Sequence, residues 1–329
     1  MSAPVRARPA VGPDLAMCPR ALLRTCEELG HDDAPAGLLL ATGQLSAALH
    51  RAPDHVRDRV GRDGSLTGSV QPGGLLRAAA EGDVLTGEWA AVPGAADADW
   101  FVLAAERAAD GQPVLVVLPA GRADRSAAAG GGFDTAGTRH VSVQGVTVDR
   151  DHIVPAFGPY PDGAQAPLPP PAVLRCAITG VALGVARRAL HELVTTARQR
   201  SRLGAVTRMS EQPLLRVELN RAVLAFRAAR QLALAELEEL PPDGPGSGAV
   251  SLSRRTALAA ALLHAHHASI DAVRFAFAKA GGSVLRTGHP LERCWRTAEA
   301  LSCHPLYDDR AEREVARAQF GDYVSALWL

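Results

Sequence analysis

The stretch GDVLTGEWAAVPGAADADW (82–100), taken with TAGTRHVSVQGVTVDRDHIVP (135–155), decides how the chain is read. Its apolar residues alternate instead of recurring every third or fourth position. His140-Val141-Ser142-Val143 and Val146-Thr147-Val148 keep the two-residue period of a half-buried strand. Glycine-rich turns separate further short apolar runs at 66–70, 75–79, 84–91, 100–105 and 114–118. This pattern predicts a small β domain over residues 66–165, a compact barrel or sandwich. Within it, 127–132 reads as a loop, and the proline-rich segment 155–171 reads as a semi-rigid linker.

Outward from that stretch the period changes. Upstream, Leu22, Leu23, Cys26 and Leu29, then Leu38, Leu45 and Leu49, then Val56 and Val60, recur at helical spacing. Two or three short helices are expected within 1–65, with a break at 33–37 and a disordered arm over the first dozen residues. Downstream, 172–202, 211–240 and 251–280 predict three long helices, and 241–248 a turn between the last two. Shorter helices are expected near 290–302 and 310–326. The fold class is therefore α+β and mostly α: short N-terminal helices, a central β-barrel domain, and an antiparallel helix bundle over 166–329.

Composition narrows the function classes. The 329 residues carry 35 basic and 35 acidic side chains, so no global charge favours nucleic acid or an anionic membrane. No apolar run approaches the length of a membrane span, and no apolar stretch follows the basic residues of the N-terminus. Five cysteines, an odd number without a Cys-x-x-Cys pair, argue against a disulfide framework or zinc knuckle and for a reducing cytoplasm. Lys279 is the only lysine, so the arginine excess reflects coding bias and is not in itself a phosphate signal. His264, His266 and His267 invite a metal reading, but no cysteine or glutamate stands at ligand spacing, and no metal is expected.

Several motifs in order carry a family resemblance. GSVQPGG (68–74) and the opening stretch resemble the β domain of the acyl-CoA dehydrogenase fold, and 135–155 resembles its last strands. RQRSRLG (198–204) is similar to the Arg-x-x-aromatic-Gly stretch after the first long bundle helix, with Leu203 in the aromatic's place. AGGSVLRTGHPLERCWRTAEALSCH (280–304) resembles the glycine pair, short helix and terminal histidine of the two-component flavin-dependent monooxygenases. The chain departs from that pattern too. Pro93 stands where the family has a serine, Val141 and Val143 where it often has Thr-x-Ser, and Arg296-Thr297 where it has Arg-Asp. The opening helical lobe is shortened.

The resemblance implies a flavin-dependent monooxygenase acting on a small molecule of secondary metabolism. It would use FAD or FMN reduced by a separate flavin reductase, and form a homodimer or homotetramer. It implies a catalytic role for His304, an imidazole able to exchange a proton near neutrality. Arg200 would meet the flavin pyrophosphate, often across a subunit boundary, and Gly281 and Gly282 would lie beside the dinucleotide. Trp89 and Pro93 would line the flavin from the β side, while Trp100 reads as core. One cavity between the two domains would then hold Trp89, Pro93, Arg200 and His304. The apolar replacements Pro93, Val141 and Val143 motivate an alternative, a flavin-free cyclase or lyase for a polyketide- or peptide-like substrate. A non-catalytic partner subunit is the third reading.

Overall fold

Prolines and capping side chains set the boundaries of the long helices. The computed structural model describes residues 18–127, 136–156, 168–201, 204, 206–241 and 250–322. Its order is α1 (Pro19–Asp32), α2 (Ala34–Gly43), a 3-10 segment (Gln44–Arg51) and α3 (Asp54–Asp63), then the strands. These are β1 (Leu66–Arg77), β2 (Asp83–Val92), β3 (Trp100–Arg107), β4 (Pro113–Pro119), β5 (Asp124–Ala127), β6 (Arg139–Val148) and β7 (Ile153–Pro155). The bundle follows as α4 (Pro170–Gln199), α5 (Pro213–Glu238), α6 (Leu252–Ala280), α7 (Pro290–Ser302) and α8 (Asp309–Gln319). Proline occupies the first turn of α4, α5 and α7, where its missing N–H costs nothing. Ser251 caps α6 by accepting from Arg254 N, and Asp308 caps α8 by accepting from Arg310 N and Ala311 N.

Two expectations are corrected. The break at 33–37 shrinks to Asp33, because its carboxylate accepts from Ala36 N and Pro35 suits the first turn of α2. The runs at 66–70 and 75–79 belong to one strand, β1, whose register against β3 shifts between Ser69 and Gly74. The arm, the 127–132 loop beyond Ala127, most of the 155–171 linker, most of the 241–248 turn and Leu203 lie outside the described residues.

The seven strands form one mixed sheet in the order β5-β6-β2-β1-β3-β4-β7. Only β1 and β3 pair in parallel, with Leu66 opposite Trp100. The sheet curls round a core of its own, made of Leu76, Leu85, Trp89, Phe101, Leu103, Val116 and their neighbours. Its outer face joins a second core shared with the helices, and β3 and β4 serve both: Phe101 and Leu103 point inward, Trp100 and Val102 outward. Trp100 is thus core, as expected.

α4 is buried nearly all round. It meets α1 almost backbone to backbone. A Cβ on Gly184 would lie 2.1 Å from Glu27 O, one on Gly180 2.4 Å from Leu23 O, and one on Gly30 2.4 Å from Val181 O. Only glycine permits that crossing. Glu27, buried beneath it, accepts from Arg230 Nε of α5 at 2.8 Å. α5 and α6 run antiparallel, pinned by Lys279–Glu218 at one end and Arg254–Glu239 at the other, each 2.6 Å.

Candidate active site

His304 follows α7 and opens a 3-10 turn, Pro305–Tyr307. Its own N–H donates to Leu301 O at 3.1 Å, and its carbonyl accepts from Tyr307 N at 2.9 Å. Because Pro305 has no N–H, the first free donor of the turn is Leu306 N, which donates to His304 Nδ1 at 3.2 Å. Tyr307 then drops into the bundle. Its hydroxyl donates to Arg175 O of α4 at 2.7 Å and lies 2.8 Å from Thr179 Oγ1. The His266 ring of α6 stacks on the Tyr307 ring, with centroids 3.6 Å apart and planes inclined by 15°. The Arg175 side chain is buried close by.

The surroundings set the titration of this cluster. Burial first, and the Arg175 guanidinium second, lower His304 to about 4. His266 is pushed well below the usual histidine range, mainly by burial, with His267 and His304 adding to it and the Leu301 backbone opposing it. The Tyr307 hydroxyl is raised, chiefly by burial. Both imidazoles are therefore neutral at physiological pH, which corrects the expectation of a histidine titrating near neutrality. Of the other two histidines of α6, His264 is exposed, while His267 borders the cluster, its Nε2 3.4 Å from Tyr307 O and its Nδ1 3.0 Å from Glu312 Oε1. Among the described residues no group of His, Cys, Asp and Glu is placed to hold a metal.

On the β side the rim is closed. Trp89 is fully buried in the sheet's interior, its Nε1 donating to Ala104 O at 2.9 Å. Val141 and Val143 lie in the same core. Pro93 is half-buried just beyond β2 and accepts from Thr67 Oγ1 at 2.6 Å through its carbonyl. Beside it, Gly94 sits at φ 73° under Leu39 of α2, where an added Cβ would come within 2.9 Å of Leu39 Cδ2. Ala91, next to the register shift between Trp89 and Val92, holds φ 52°. For a residue with a Cβ that backbone is sparsely populated and costs on the order of 1–3 kcal/mol.

Arg200, Gly281 and Gly282 lie at the other end of the bundle. Arg200 ends α4, and its carbonyl accepts from Met209 N at 2.8 Å, just ahead of α5. Glu218 near the start of α5 pairs with Lys279, two residues before Gly281. At 1.5 Å per residue, Arg200 lies about 37 Å along α4 from Arg175, and so from His304. Within one chain the four expected cavity residues therefore do not converge. Gly281 has φ 80° and ψ 179°, a backbone that only glycine tolerates, and nothing lies within 4 Å of where its Cβ would be. Among the described residues Arg200 has no carboxylate partner. A cavity of about 190 Å³ does lie between the β domain and the start of α4, but its lining includes Val70, Pro72, Glu106, Pro113, Ala156 and Pro171 and none of the expected site residues.

Sequence reasoning found His304 and missed what holds it. Tyr307, Arg175, Thr179 and His266 come from two helices and a turn. One signal was present: His-Pro-Leu occurs twice, at 289–291 and 304–306, and both times the imidazole Nδ1 caps the leucine N–H.

The fold defines the class. The chain has the acyl-CoA dehydrogenase fold, and residues 176–309 match the family described as acyl-CoA dehydrogenase, C-terminal domain. Its relatives are monooxygenases. The indole-3-acetate monooxygenase of Pseudomonas putida is 24% identical over 92% of this chain and 80% of its own length. The HsaA monooxygenase from M. tuberculosis superposes with a TM-score of 0.81, covering 95% of this chain and 85% of its own, at 17% identity. XiaF from Streptomyces sp., solved in complex with FADH2 and glycerol, gives a TM-score of 0.79 over 94% and 83%, at 18% identity.

Proposed function

We propose that this chain is a flavin-dependent monooxygenase that oxidises a small molecule with reduced flavin supplied by a separate reductase. The observation that carries the reading is the His304 turn, held rigidly at one end of the bundle in a fold shared with monooxygenases. When bound, reduced flavin would supply the electrons that activate oxygen. The donor set at the other end fits its phosphate-bearing part. Arg200 has no carboxylate partner among the described residues, and Gly281 and Gly282 leave open space at the end of α6. The closed β rim gives the ring an apolar wall, with Trp89 supporting it from beneath and Pro93 at its edge. His304 would bring a hydrogen-bonding group to the flavin from the bundle side.

The separation of Arg200 from His304 calls for a second copy, so that one chain's Arg200 and glycine pair serve the other chain's His304. α5 supports this, because Leu214, Val217, Leu224 and Leu232 stand 45–70% exposed along one stripe. A homodimer or homotetramer built on α5 is the assembly this reading requires. All five cysteines are free, which suits a reducing cytoplasm. Among the described residues no helix is long and apolar enough to cross a membrane. Anaerobic titration with reduced FAD and reduced FMN tests the reading: saturable binding, followed on admitting oxygen by an oxygenated product from an aromatic substrate panel, supports it. Failure to bind either reduced flavin overturns it.

A further inference from the structure

We infer that the His-Pro-Leu turn locks His304 as its neutral Nε2–H tautomer, making it a fixed hydrogen-bond donor rather than a proton-exchanging base, and that Tyr307 is the positioning residue that keeps the turn in place. The inference begins with a donor that cannot change its role. A backbone N–H only donates, so the Leu306 N–H on His304 Nδ1 requires a lone pair there. A neutral imidazole with a lone pair on Nδ1 carries its proton on Nε2. Protonating Nδ1 would break that bond and leave Leu306 N without its cap. The same turn at His289-Pro290-Leu291, with Leu291 N 3.1 Å from His289 Nδ1, shows that the arrangement belongs to the motif. Proline is essential to it, because it removes the intervening N–H.

The charges around His304 oppose a proton as well. Arg175 approaches from α4, His266 stands on α6 with His267 and its partner Glu312 behind it, and Tyr307 is a raised, neutral phenol. None of the groups closest to the ring is an anion that would stabilise an imidazolium. Tyr307 fixes the turn from below: its hydroxyl is anchored on Arg175 O, its ring is clamped by His266, and its N–H holds the His304 carbonyl. The ring of His304 meets that of Tyr307 edge-on, with centroids 6.0 Å apart.

The tautomer is independent of ligand, whereas its use as a donor to the oxygen-activating site rests on the monooxygenase reading. Long-range proton–nitrogen NMR of the full chain, labelled at its eleven histidines, reads the tautomer directly. The His304 signals are identified by their loss in His304→Gln. The expected result is an unprotonated Nδ1 and a protonated Nε2 from pH 8 down to pH about 5, below the ordinary histidine midpoint of about 6.5. A protonated Nδ1, or a midpoint near the ordinary value, overturns the inference. In Tyr307→Phe, which keeps the ring and removes the hydroxyl, mixed tautomers and an upward-shifted midpoint are expected. A spectrum identical to the parent's removes Tyr307 from its positioning role. For turnover with reduced flavin, His304→Gln retains an N–H donor and should stay within about tenfold of the parent, while His304→Ala falls by about 10²-fold. Equal losses in the two overturn the donor role. Absence of reduced-flavin binding with the tautomer intact overturns the monooxygenase reading alone.

Discussion

The two ends of the bundle are built on opposite plans. At the His304 end, polar groups from α4, α6 and the 305–307 turn are buried, stacked and bonded to one another. At the Arg200 end, a glycine pair stands in open surroundings, and among the described residues the guanidinium has no carboxylate partner. The first arrangement holds a group still, and the second leaves room for something that arrives later. The contrast teaches that burial and function need not coincide: the open end stabilises this chain least and has the most contact left to make.

Substitutions can break that contrast. Tyr307→Ala should cost about 3–5 kcal/mol, because it empties a packed site and removes buried hydrogen bonds to Thr179 Oγ1 and Arg175 O. Urea unfolding measures it, and a loss below 1 kcal/mol would mean that the closed end is loosely built. Arg200→Ala should leave urea stability within about 0.5 kcal/mol and weaken reduced-flavin binding by about 1.5–3 kcal/mol. Calorimetric titration separates the two effects, and the reverse pattern would make Arg200 structural. Gly281→Ala should destabilise by about 1–3 kcal/mol although nothing surrounds it, since the cost lies in its backbone angles. A neutral outcome would show that the α6 terminus relaxes freely.

The last test, in pH, probes the closed end alone. His304 and His266 are held below the unfolded value of about 6.5, so the unfolded chain binds their protons first on acidification. Stability is full above that value and falls as the pH drops toward 4. Melting curves across that window should show the slope, and His304→Gln should make it shallower.

The elements that could be read in advance are those with local causes. α7 runs over 290–302 as its apolar spacing and Pro290 predict, and α6 starts one residue after its serine cap. The short strands β5 and β7 could not be read: Asp-Arg-Ser-Ala is exposed at all four positions, and three residues have no period to detect. At the candidate site, motif order led to His304. Its anchor was hidden because Tyr307 and Arg175 are 132 positions apart, and no local pattern announces that a phenol will meet that carbonyl. Arg200 was read without its distance from His304, because the span of a helix matters only once both ends are assigned.

The glycine crossing of α1 on α4 has a consequence for how the protein is made. Gly30 leaves the ribosome long before Gly184, the residue across the same crossing. At about 5–20 residues per second the 153 intervening residues take roughly 8–30 s to synthesise. Through that interval the nascent α1 carries Leu22, Leu23 and Cys26, all destined for full burial, with their partner helix not yet translated. The sheet is complete in sequence first and must wait beside an unsatisfied apolar helix, which makes the newborn N-terminal segment a natural client for chaperones.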